Sequence, residues 1–272
     1  MQWHSLFAGR WRRVGLIAGV LALGLLLGLR IFLMTPMAHS IVESRIEALS
    51  VRGQTIAIDR IHGDLLSGIR ADRIGVSDDE GPWIEAEEAR SSWRLVPLLF
   101  GRLELKEIRA SSVDVSRRPN LTPATGPSRT APFDQYRVDT FSILNLSLAE
   151  GIAGPAQTYQ LMGNLRAAGW TGELHLDLLP ADASGDELQA DLVWGGDALL
   201  AGEISLSGAP DGLISQLFGL RAGEGLTAHL KASGGVLDGE MAAQAKIGAD
   251  TVLNLEANAD GRCYQATGRI AL

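Results

Sequence analysis

Five histidines, one cysteine and three clusters of acids are the residues of this chain that could do chemistry. His4, His39, His62, His175 and His229 show neither an HExxH pair nor any paired-ligand spacing, so they point to no zinc site. His175 and His229 fall on the polar positions of alternating stretches, where an exposed structural histidine is expected. Cys263 is alone, so it forms no internal disulfide and no CxxC site, and is expected to be an inert thiol. Asp78-Asp79-Glu80 lacks the alternating oxygen ligands of a calcium loop. Together with Glu85-Glu87-Glu88 it is expected on solvated turn and strand faces, and Asp182 to Asp186 is expected to be a turn. GxSxG, GxxxxGK[ST] and GxGxxG are all missing. The chain is therefore expected to be no enzyme and to need no cofactor or metal.

Charge bounds the partners. The net charge is −8, but residues 1–34 hold Arg10, Arg12, Arg13 and Arg30 with no acid, so that segment carries +4 and the rest −12. An acidic body cannot neutralise a phosphate backbone, which argues against nucleic acid. The basic charges flank an apolar run instead. Val14 to Leu29 is uninterrupted apolar sequence, and counting through Met34 gives a stretch long enough to span the ~30 Å hydrocarbon core at about 1.5 Å per residue. Arg30 lies near one end, where it can snorkel, and Trp3 and Trp11 suit the opposite interface. No small-x-small cleavage site follows closely, so residues 14–34 are expected to be a retained signal anchor rather than a cleaved signal peptide. The arginines before the span place residues 1–13 in the cytoplasm and the bulk of the chain outside it.

The exported part must supply whatever surface does the work. Ala38, Val42, Ile46 and Leu49 recur at helical spacing and predict a short amphipathic helix. The period then falls to two: Ile56 and Ile58, Ile74 and Val76, Leu103 and Leu105, Val113 and Val115. Pro97 to Gly101 predicts a one-turn helix, with proline inside its start and glycine past its end. Residues 35–118 are read as an amphipathic helix plus a first β unit. Residues 119–132, PNLTPATGPSRTAP, have four prolines and no alternation, and are read as a linker.

Residues 133–272 form a second β unit of eight predicted strands, opened by Tyr159, Leu161 and Leu165. Leu174, Leu176 and Leu178 alternate with polar residues. So do Leu188 and Leu192, Ile204 and Leu206, Leu226 and Leu230, and Leu253 and Leu255. These are the candidate ligand-facing residues. Met241 to Ile247 and Tyr264 to Ile270 supply further strands. Leu213, Ile214, Leu217 and Phe218 share one helical face in the gap between two of them. Strands so closely spaced must be antiparallel. Each has one apolar face, which must meet a second sheet, close into a barrel, or stay open as a trough filled by something apolar.

Residues 61–119 add a resemblance. Gly63-Asp64-Leu65-Leu66-Ser67-Gly68-Ile69 leads to Ile74-x-Val76-Ser77-Asp78 and Gly81-Pro82-Trp83. Trp93, Pro97-Leu98-Leu99-Phe100-Gly101-Arg102-Leu103 and Val113-Asp114-Val115 follow, closing at Arg117-Arg118-Pro119. This run resembles the N-terminal region of the TamB family, inner-membrane subunits of the bacterial translocation and assembly module, within the AsmA-like superfamily. The later GAPDGLISQLFGL and GLTAHLKASG segments agree more loosely.

The resemblance implies a mainly β protein: an N-terminal transmembrane helix, then an elongated antiparallel β-groove with a few short helices. It implies a single-pass bacterial inner-membrane protein, most of it periplasmic, with phospholipid acyl chains conducted along the groove. It also implies outer-membrane protein assembly and secretion with an outer-membrane barrel partner in full-length relatives. The family is several times longer, and Arg269 to Leu272 lies inside an alternating stretch, so an N-terminal fragment is expected. The alternative function is a tethered β-sandwich with a structural or interaction role in the cell envelope.

Overall fold

The computed structural model describes residues 54–120, 133–152, 154–181, 185–196, 198–234, 238–260 and 263–270. The predicted anchor at 14–34, the amphipathic helix at 38–49 and most of the proline-rich segment lie outside the described residues. Among the described residues no helix is long and apolar enough to cross a membrane.

Thirteen strands form one sheet in strict chain order. They are β1 (Thr55–Asp64), β2 (Gly68–Asp78), β3 (Gly81–Trp93), β4 (Arg102–Val115), β5 (Gln135–Leu148), β6 (Gln157–Ala168) and β7 (Thr171–Pro180). β8 (Glu187–Gly195), β9 (Ala198–Gly208), β10 (Leu226–Ser233), β11 (Glu240–Ile247), β12 (Asp250–Asp260) and β13 (Cys263–Ile270) complete it. Every neighbouring pair is antiparallel except β4 and β5, which are parallel. A parallel pair needs a long crossover, and residues 116–134 provide it. The sheet therefore runs without interruption across the proline-rich segment. Two short helices sit at opposite rims: α1 (Leu95–Leu98) between β3 and β4, and α2 (Leu213–Leu217) between β9 and β10. Gly101 follows α1 with φ of +71°, and α1 begins two residues before the Pro97 start that the spacing predicts.

The sheet has no second layer among the described residues. Each strand packs appreciably only on its sheet neighbours, α1 on β4 and α2 on β9. β1 and β13 are not paired, so the described strands close no barrel.

Two strand habits divide the sheet. From β6 onward the period of two is kept apart from one bulge between β11 and β12, and β10 alternates buried or half-buried with exposed positions along its whole length. In β1 to β5 the apolar face carries a step of three: Ile58 to Ile61, Ala71 to Ile74, Ala86 to Ala89, Ala110 to Val113 and Ile143 to Leu146. These steps lie side by side, since Ile58 faces Ile74, Ile74 faces Ala86, Ala86 faces Val113 and Val113 faces Leu146. Five strands thus each carry an extra residue in register along one line, here called the crease, and β4 and β5 carry a second, in the steps from Leu105 to Ile108 and from Val138 to Phe141. Arg60 and Glu88 absorb the extra residue with left-handed φ of +50° and +49°. β6 has no extra residue, so the β5–β6 pair takes up the difference as two bulges, between Val138 and Phe141 and between Ile143 and Leu146. A step of three breaks a period-two reading, and for that reason β3 and β5 are strands that the alternation alone does not predict.

Candidate functional site

Register turns the apolar positions of single strands into continuous rows. Phe141, Gly163, Leu176, Ala190, Ile204, Leu230, Ala243, Leu255 and Gly268 are successive cross-strand partners from β5 to β13. A second row runs Ile143, Leu161, Leu178, Leu188, Leu206, Ala228, Ala245, Leu253 and Ile270. A third links Leu165, Leu174, Leu192, Gly202, Ala232, Met241 and Ala257. Leu226 faces Gly208 and Ile247 where the rows meet the α2 rim. All eleven candidate residues, Leu174, Leu176, Leu178, Leu188, Leu192, Ile204, Leu206, Leu226, Leu230, Leu253 and Leu255, therefore share one face. Leu226 is buried and the other ten are half-buried.

Half-burial without a covering layer has a simple cause. Each side chain is flanked by row neighbours about 5 Å away on both sides, which shield its stem and leave its tip open. The rows cross the strands, so the nine strands from β5 to β13 at about 4.8 Å spacing give an apolar surface about 38 Å long. Gly163 shows how tightly it is tiled. A Cβ there would stand 2.6 Å from the Phe141 ring, so the neighbouring aromatic fills the space that glycine leaves.

Full burial is confined to few places. Ile61, Ala71, Ala110 and Val113 are buried along the crease. Tyr159, Ile214 and Leu226 are buried in a knot at the α2 rim, centred on the fully buried carboxylate of Asp186. That carboxylate accepts from the Ala209 amide at 2.7 Å, the Ile214 amide at 3.2 Å and the Tyr159 hydroxyl at 2.9 Å. A Cβ on Gly212 would stand 2.3 Å from the same group. Apart from these residues, Ala190 is the one buried apolar side chain among the described residues.

Several acids behave differently from their sequence reading. Asp186 is not a solvated turn acid; it locks the start of β8 to the α2 turn. Asp78 is not solvated either, its side chain being 1% exposed. Arg117 forks onto it, with Nη1 donating to Oδ2 at 2.9 Å, and the Asn120 amide donates at 2.7 Å. The Arg117 guanidinium holds the Asp78 carboxyl well below the usual carboxylate range. The turn between β2 and β3 thereby fixes the start of the crossover. Leu217 and Phe218 do not join Ile214 in the core, because α2 stops after one turn and leaves them 68% and 63% exposed.

The polar face holds the described histidines, His62, His175 and His229. His175 lies between Asp191 and Asp177, and Asp191 chiefly raises its pKa above the ordinary 6.5. His229 lies 2.7 Å from Glu203. Among the described residues no group of three or more His, Cys, Asp or Glu is placed to hold a metal ion. Compared with family models, with curated proteins and with solved structures, the chain matches none, and its candidate site rests on its own geometry.

Proposed function

We propose that this chain is a single-pass, inner-membrane-anchored periplasmic protein whose sheet forms a β-groove that carries phospholipid acyl chains between membranes. The observation that carries this reading is the apolar face, which continues through strand after strand with no second sheet against it among the described residues. An acyl chain is about as wide as one row of leucine and isoleucine side chains and needs no hydrogen bonds, so a uniform apolar strip suits it better than a shaped pocket. The crease in β1 to β5, with its buried residues, supports curling toward that face. The apolar run at 14–34, behind three arginines, supports the anchor and an N-in, C-out orientation. The resemblance of residues 61–119 supports a place in outer-membrane biogenesis, with lipid transfer, protein assembly and secretion as the processes served. The same resemblance supports an outer-membrane barrel as the partner. A tethered sandwich is disfavoured, because it requires a packed second layer.

Photo-crosslinking residues at Leu176, Leu192, Ile204 and Leu230 of the membrane-inserted chain should capture acyl chains, and those at His175, Asp191, Ser205 and Lys231 should not. Equal labelling of both sets, or none of either, overturns the groove. A phosphatase reporter fused after Ser50 should be active outside the cytoplasm, and release of a soluble form beginning near His39 overturns the anchor.

A further inference from the structure

On the polar face of β2, β3 and β4, three arginines stand directly opposite one another. Arg70 is the register partner of Arg90, and Arg90 is the partner of Arg109. His62 of β1 extends the line, facing Arg70. Like charges facing each other across strands are destabilising. Like charges face each other elsewhere on this face too, Glu85 opposite Asp114, Arg137 opposite Arg166 and Asp191 opposite Glu203. There an opposite charge relieves them: Arg73 holds Glu85, Asp139 holds Arg137, Glu173 holds Arg166, His175 holds Asp191 and His229 holds Glu203. Arg70, Arg90 and Arg109 take part in no ion pair among the described residues.

The nearest acids are held by other groups. Asp72 takes the Arg60 guanidinium at 2.9 Å and lies 3.7 Å from His62. Glu88 accepts the Ser111 hydroxyl at 2.6 Å, from a backbone in the left-handed region. Arg70, Asp72, Glu88, Arg90, Arg109 and Ser111 line a hollow of about 360 Å³. It lies on the opposite face from the apolar rows.

The geometry points to an anion site here, and specifically to a phosphate group seated between adjacent guanidiniums. A guanidinium presents a planar fork of donors that matches two phosphate oxygens. Neighbouring strands set the arginines about 5 Å apart, so one phosphate can bridge Arg90 and either Arg70 or Arg109. The bound anion removes the repulsion the bare ladder carries, so occupancy and fold stability are linked. The phosphate is either free or the headgroup of an anionic lipid. The site does not depend on the groove, since it uses other residues on the other face.

The test uses the full chain in neutral detergent, with inorganic phosphate as the free probe. Nanodiscs of phosphatidylglycerol, with phosphatidylcholine as control, probe the headgroup. Phosphate should raise the melting temperature of the wild-type protein, and Arg90→Gln should abolish that rise. Arg90→Gln should also melt no lower than wild type in phosphate-free buffer, which shows that the variant folds. Arg73→Gln, which removes an already paired arginine, should keep the phosphate response. Tighter binding to phosphatidylglycerol discs than to free phosphate, lost in Arg90→Gln, assigns the headgroup as the source. The reverse order assigns free phosphate. No thermal shift and no disc binding overturns the site, as does an equal response from Arg90→Gln. Preference for an acidic polypeptide such as polyglutamate over phosphate overturns the ligand class.

Discussion

β1 to β5 and β6 to β13 are one sheet with one apolar face, yet they solve different problems. The first five strands carry an extra residue each, in register, and bury Ile61, Ala71, Ala110 and Val113 along the resulting crease. The later strands keep alternation, apart from one bulge between β11 and β12, and leave the leucines of their rows half-buried, Leu226 at the α2 rim excepted. A single added residue per strand is enough to change an open surface into a packed line, provided the neighbours add it at the same place. The crease works as a core; the rows beyond it work as a surface.

The sharpest way to break that contrast is to place a charge in each region. Val113→Asp should cost about 3 kcal/mol or more, because the carboxylate is buried without a partner. Leu192→Asp should cost about 1 kcal/mol, since its tip can still be hydrated. Chemical denaturation of both variants measures the pair, and equal costs would mean that the rows are a sealed core like the crease.

Next in size is the knot that interrupts the regular half at the α2 rim. Asp186→Ala leaves the Ala209 and Ile214 amides without their acceptor and should cost about 2 to 3 kcal/mol. Hydrogen exchange should show both amides losing protection while those of β11 and β12 keep theirs. Loss of protection throughout β6 to β13 would show that this half is not held strand by strand.

Acid separates the halves more gently. Asp78 in the creased half has a depressed pKa, so its contribution is complete above the ordinary value near 3.8 and is lost as pH falls toward the folded value. Asp78→Asn should be less stable than wild type at neutral pH and flatten the loss of stability below about pH 4. His175 in the regular half titrates the other way. Its raised pKa gives a contribution complete below 6.5 and lost as pH rises through the folded value. Asp191→Asn should remove most of that dependence, and this is the smallest of the effects, because both partners are well exposed.

How much of this was legible in the sequence follows the same division. The eight strands from Tyr159 onward, their antiparallel order and the shared face of the eleven candidate residues are all carried by alternation, which is a local signal. β3 and β5 escape it, because Glu87-Glu88 and Leu144-Asn145 insert the step that breaks the count. That step has its own signature, apolar-x-x-apolar repeated in consecutive strands, and it could have been found by aligning the strands with one another. Asp186 and Asp78 could not. A turn aspartate looks the same whether it faces water or a distant amide, and only long-range packing decides between them. The parallel pairing of β4 with β5 depends likewise on where the crossover lands, which composition does not fix.

Chain-order pairing has a consequence for how such a protein can vary. Each strand touches only the two beside it, so the free energy of the sheet is close to a sum of nearest-neighbour terms, as in a one-dimensional lattice. Within β6 to β13 a hairpin can be inserted or removed as a unit. Both of its ends return to the same rim and, where the period of two is kept, every row passes through it in phase. Each such edit changes the surface by about 10 Å in length and leaves its cross-section alone. The creased strands have no such freedom, because an inserted hairpin would need its extra residue at the matching position. Variation among proteins built this way should therefore be modular in the regular half and conservative at the crease.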